Sequence, residues 1–184
     1  NETVNQKSND KTPAPNMAGE VLRAILTGSR YPATLLNGVT LRIRAEHEVT
    51  RGRAAILKAY YLQNPHPDVP KEVLTVSLNP DCSNIPYLLG RLFSTLEAIQ
   101  SAANPGINTT IMDKYFNSAS ATPAMVFPVL LKLAQKHLKK LDVGLRTYYD
   151  KQLTDLLFRL GEEYPARLNL PQQGSFQLGY YHQT

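Results

Sequence analysis

Tryptophan is absent from this sequence and cysteine occurs once, as Cys82. One thiol excludes an internal disulfide and any zinc site built from several cysteines. It also fits a reducing compartment. No apolar run approaches the roughly 18 residues that a membrane span needs, and there is no signal-peptide pattern. Catalytic signatures are missing as well. HExxH, Cys-x-x-Cys, GxSxG, a glycine-rich phosphate loop and an EF-hand loop do not occur. The four histidines, His47, His66, His137 and His182, show no metal-ligand spacing. The chain opens on Asn1 rather than Met, as a fragment or a trimmed product would.

What remains is a globular composition, with 42% hydrophobic and 19% charged residues among 184. A chain of that length buries roughly 70% of its unfolded surface and needs no covalent staples. Residues 1–16 lack large core-forming side chains and read as a disordered tail or linker. Residues 17–184 read as a single helical domain. Asn16 and Gly28 bracket a first helix as N-cap and C′, with Val21, Leu22, Ile25 and Leu26 as its stripe. A long helix over residues 39–63 should stop at Pro65 and Pro67. A proline-rich loop follows, with "VLTVSL" as one possible strand. Ile85, Leu88, Leu89, Leu92, Phe93, Leu96 and Ile99 have helical spacing, and Asn104-Pro105-Gly106 ends that helix. "NTTIMDKYFNSAS" reads as a shorter helix. The next opens with Thr122 as N-cap and Pro123 at N1, and Pro128 predicts a kink or a later start. Helices ending at Gly161 and at the chain end complete an all-α bundle of about five to seven helices with one long proline-rich loop.

The net charge of +5 and pI near 9.3 are unevenly spread. Residues 19–61 hold seven cations and three acids, net +4, and residues 62–184 hold eleven and ten, net +1. "RIRAEHEVTRGRAAILKAY" carries Arg42, Arg44, Arg51, Arg53 and Lys58. Arg44, Arg51 and Lys58 recur every seven residues, on nearly one helical face and about 10.5 Å apart. One such step covers about three nucleotides of a strand. Arg42 and Arg53 lie on the other side, and Glu46 and Glu48 are placed to pair locally. This face is either a phosphate track or an ordinary solvated surface. A second feature is an absence: the 28 residues between Asp113 and Asp142 contain no acid. They contain Lys114, Lys132, Lys136, Lys139 and Lys140, the last four on one face of their helix. Like charges so placed repel, and an anionic partner would relieve them. Favourable placement of Lys139 and Lys140 at a helix C-terminus is the plainer explanation.

Glu97 and Asp113, the acids considered for nuclease chemistry, read better as surface or capping groups. His137 reads as a hydrogen-bonded, largely buried core histidine. The pairs Tyr60-Tyr61, Tyr148-Tyr149 and Tyr180-Tyr181 could stack on bases. They read better as finishing the core, one ring of each pair facing out.

Three further stretches join the basic segment: "NIPYLLGRLFSTLEAIQ" (84–100), "NTTIMDKYFNSASATPAMVFPVLLKLAQKHLKKL" (108–141) and "QQGSFQLGYYHQ" (172–183). Together they resemble the C-terminal region of the large subunit of type I-C CRISPR Cascade, over roughly residues 20–184. SASATP and the terminal GYYHQ are the most specific motifs. Asn117 stands where that family is expected to have glycine, and Lys114 where it is expected to have arginine.

The resemblance implies a helical bundle that is also made separately, by internal translation, as the small subunit, with Met17 as the implied start. It implies a non-catalytic, sequence-independent nucleic-acid-binding role, in which base pairing reads sequence and the protein holds backbone. The guide RNA–target DNA heteroduplex and the displaced strand would be supported there. Implied partners are the CRISPR RNA and target DNA, the backbone subunits, the large subunit's N-terminal region, further copies of this chain and, indirectly, a recruited helicase-nuclease. Neither cofactor nor metal nor membrane is expected, and the location is the prokaryotic cytoplasm. With it the phosphate-track reading of Arg44, Arg51 and Lys58 gains weight. The rival is a purely protein–protein scaffold without nucleic-acid contact.

Overall fold

The computed structural model describes residues 47–184, with side chains from Ala54 onward, and also Glu20, Arg23, Ala24, Thr27 and Ser29. The chain divides into two compact units, residues 1–42 and 43–184, and the bundle described here lies in the second. The expected tail over 1–16, the caps Asn16 and Gly28, Met17 and residues 39–46 of the long helix lie outside the described residues.

Six α-helices run between residues 47 and 184: α1 (His47–Gln63), α2 (Ile85–Ala103), α3 (Ile111–Ala121), α4 (Pro123–Leu138), α5 (Val143–Leu160) and α6 (Leu170–Gln183). There is no strand among the described residues, so the fold is the expected all-α bundle.

The axis of the bundle is α2. Asn84 caps it by accepting from Tyr87 N, with Pro86 inside its first turn. Its spacing predicts one apolar stripe, yet residues 86–96 are buried without a break, Gly90, Arg91, Ser94 and Thr95 included. Helices α3, α4, α5 and α6 all pack on it, α6 along the greatest length, and α1 lies on α6. Two glycines allow the α2–α6 approach. A Cβ on Gly90 would fall 2.7 Å from Tyr180 N, and one on Gly179 would fall 2.8 Å from the Tyr87 carbonyl carbon. Phe93 (α2), Phe116 (α3), Phe176 and Tyr180 (α6) then meet edge-to-face, with ring centres 5.0–6.0 Å apart.

Three local expectations are corrected. "VLTVSL" forms no strand: a 3₁₀ turn, Lys71–Val73, ends in it and bends follow. No second strand is present among the described residues to pair with it, and the carbonyls of Thr75, Val76 and Ser77 are taken by side chains. Pro128 does not delay the start of α4, which runs through it from Pro123. Its ring is solvent-exposed, so water can serve the carbonyl one turn back that loses its N–H partner. Thr122 does not cap α4 with its side chain. Its N–H and hydroxyl both donate back to Ser118 O, which leaves no slack between α3 and α4. The chain after α5 secures that joint, through Leu168 N to Ala121 O and Ala124 N to Pro165 O.

Candidate nucleic-acid interface

Of the heptad row, Arg44 lies outside the described residues, as does Arg42. Arg51 and Arg53 are on α1, but their side chains are not among those described. Lys58 is half-buried and engaged. Its ammonium donates to Thr75 O (2.6 Å) and Val76 O (3.2 Å), so α1 holds the proline-rich loop. Desolvation pulls its pKa below the ordinary lysine value. Asn79 secures the same loop, donating from its side chain to Glu72 O and from its backbone to the Tyr87 hydroxyl. From the far side the Arg159 guanidinium donates to Pro80 O and Cys82 O.

The lysines of the acid-free run are placed differently. Lys114 is exposed on α3, and Lys132 and Lys136 are exposed on α4. Helix α4 ends at Leu138. The bonds Lys140 N to His137 O and Leu141 N to Leu138 O then tighten the chain into a turn. Lys139, still in the right-handed helical conformation, caps the helix, Lys140 lies in the turn beyond it, and both stay exposed. Lys140 donates to Asn104 Oδ1 (2.9 Å). The ion pairs among the described residues are His66–Asp68 and Arg146–Asp150, so no described carboxylate pairs with any of these five lysines.

The carboxylates of α2 and α3 are structural. Asp113 accepts from Thr110 N in a capping box. Glu97 accepts from the Tyr180 hydroxyl (2.6 Å), and desolvation raises its pKa. His137 is half-buried, with Nδ1 3.0 Å from Asn104 Nδ2. That amide also donates to Gln100 O, so a neutral imidazole is the matching acceptor. Burial, then Lys140, lowers its pKa. No group of three His, Cys, Asp or Glu could hold a metal among the described residues. Tyr61 is buried beside a half-buried Tyr60, Tyr180 and Tyr181 are both buried, and Tyr148 is 56% exposed beside a half-buried Tyr149.

Two cations went unnoticed in the sequence: Arg91 and Arg159. For Arg91 the signal was present, since it is a lone charge inside the otherwise apolar run "YLLGRLF". For Arg159 there was none, because its role depends on a loop that returns from 77–79 positions away.

One comparison decides the lineage: the family model described as CRISPR-associated protein (Cas_Csd1) matches residues 1–184. The chain belongs to the Cas_Csd1 family. Membership makes it a Cas protein of the Cascade type. No curated protein matches it. Among the described residues, no helix of this Cas_Csd1 member is long and apolar enough to cross a membrane.

Proposed function

We propose that this chain is a non-catalytic, sequence-independent nucleic-acid-binding unit of a type I-C Cascade surveillance complex. It acts as the C-terminal region of the large subunit or as the separately translated small subunit. It supports the guide RNA–target DNA heteroduplex and the displaced strand, in contact with the backbone subunits and in the prokaryotic cytoplasm. The observation that carries this reading is the lysine set. Five exposed lysines stand on a 28-residue stretch without an acid, and none of them forms an ion pair among the described residues. A surface serving only the fold would intersperse both signs. Cations without base-edge selectivity suit a backbone whose sequence is read by pairing.

The test is DNA binding by the assembled complex at several salt concentrations. If Lys132, Lys136 and Lys139 each neutralise one phosphate of a single strand, each contributes about −0.7 to the slope of log affinity against log salt. Their joint change to Ala should flatten the slope by about 2 units, equally for unrelated sequences. An unchanged slope would remove these lysines from the interface.

The scaffold reading has one observation in its favour. Leu153, Leu156 and Leu160 of α5 are buried, and α5 packs on α2. Toward its start α5 also presents Leu145 and Tyr148, which are 43% and 56% exposed. If assembly rather than DNA binding fails in Leu145→Ser and Tyr148→Ser, and does so independently of salt, the scaffold reading replaces the first.

A further inference from the structure

We propose that Arg91 and the small pocket it lines bind a single carboxylate, the side-chain end of an Asp or Glu on a partner protein. Arg91 sits in the middle of α2 and is 6% exposed. Its Nε donates to Gln183 Oε1 (2.9 Å), while Nη1 is buried without a hydrogen-bond partner. No ion pair among the described residues includes it. A guanidinium does not escape burial by losing its proton, and a buried cation without a counter-charge is strongly unfavourable. Burial lowers its pKa and Arg159 adds a second positive charge nearby, while Tyr87 and Asp155 act in the opposite direction without closing an ion pair.

The pocket beside it has a volume of about 160 Å³ and is lined by Leu78, Arg91, Gln152, Asp155, Leu156 and Gln183. Three features favour a carboxylate. The guanidinium fork matches two carboxylate oxygens. The amides of Gln152 and Gln183 supply further donors. The apolar wall from Leu78 and Leu156 suits the methylene stem behind a carboxyl group. A nucleic-acid strand fits poorly. Its sugars flank every phosphate, and the exposed Asp155 at the pocket repels a polyanion. Arg159, the other cation, is committed to the Pro80 and Cys82 carbonyls. Ordered water is the ordinary content of a polar cavity, and the experiment is built to separate it from a carboxylate.

The probe is sodium acetate, added to the full chain with ¹⁵N-labelled arginine. The Arg91 Nε–H resonance is assigned by its loss in Arg91→Lys. Acetate should shift it saturably, at concentrations at least about tenfold below those at which chloride has the same effect. Asp155→Asn alters an exposed residue and leaves the core intact. By removing the repulsion it should tighten acetate binding at least about twofold. In the assembled complex, Arg91→Lys keeps the charge but loses the fork, and should weaken association with the other subunits about tenfold or more. Saturation by inorganic phosphate or oligothymidine but not by acetate would overturn the proposal in favour of a phosphate site. Identical responses to acetate and chloride would mean water fills the pocket, and would overturn it too.

Discussion

Replacing Gly90 by Ala should be among the most damaging single-methyl additions to this protein. The added Cβ would lie 2.7 Å from Tyr180 N and closer still to Phe176 O, where ordinary contact begins near 3.4 Å. Both obstacles are backbone atoms of α6, so no side-chain rotation relieves them. The two helices must separate by about 1 Å. That opens the edge-to-face cluster of Phe93, Phe116, Phe176 and Tyr180. Overpacking of a tight core costs about 1–3 kcal/mol, occasionally more, and a clash between two backbones belongs at the upper end. Against it stands the gain of about 0.5–1 kcal/mol from Ala over Gly inside a helix. The expected net loss is about 2–3 kcal/mol, or roughly 4–12 °C in Tm for a chain of this size. Gly179→Ala, which meets the Tyr87 carbonyl from the opposite side, should behave alike. Gly144→Ala is the control: it is exposed in the first turn of α5, and its Cβ would meet only Asp142 Oδ1 at 3.3 Å. It should be neutral or mildly stabilising. Urea unfolding followed by circular dichroism measures all three. A loss below about 1 kcal/mol for both Gly90→Ala and Gly179→Ala would refute the close approach of α2 and α6.

Lys58→Met keeps the alkyl stem and removes both bonds to the loop. It should cost about 1–3 kcal/mol and hasten proteolysis between residues 71 and 84, without moving the salt slope of DNA binding. A slope flattened by about 0.7 would instead assign Lys58 to a phosphate. His182 Nδ1 is hydrogen-bonded to the Tyr87 hydroxyl at 2.9 Å, and burial, helped by Lys58, holds its pKa at about 4 against 6.5. The unfolded chain therefore takes the proton first. The stabilisation is complete above about pH 6.5 and is lost as pH falls toward 4, by at most about 3 kcal/mol before solvent screening. His137 acts in the same direction, while Glu97, with its raised pKa, acts in the opposite one. His182→Asn should flatten the dependence of Tm on pH between 4 and 6.5 relative to the parent chain. An unchanged profile would mean that His182 is not the responsible group. Lys132, Lys136 and Lys139 together should be changeable to Ala at little cost in stability, since exposed charges contribute about 0–1 kcal/mol each. A melt lowered by more than 10 °C would show that they support the fold.

Periodicity and caps were sufficient for the helices. Asn84, Asp142 and Asn169 each accept from a backbone N–H in the first turn of the helix they start, as residue type and position imply. Gly161, with φ of 75°, ends α5 where expected. These interactions are local, so the sequence by itself determined the helical class and most element boundaries past residue 63. It also determined the acid-free lysine run, because a missing residue type needs no fold to be seen. Long-range placement decided the rest. Whether Lys58 faced solvent or a loop depended on carbonyls 17 and 18 residues away. The row from Lys132 to Lys140 looked like one helix, but the helix ends at Leu138 and the chain tightens into a turn that carries Lys140. Glycine inside a helix is locally unfavourable, and only the packing of α2 on α6 makes Gly90 and Gly179 the positions where the backbones meet. Arg91 is a lone charge in an apolar stretch of sequence. Its burial follows from α2 being enclosed by four other helices, which hydrophobic period on one helix cannot reveal.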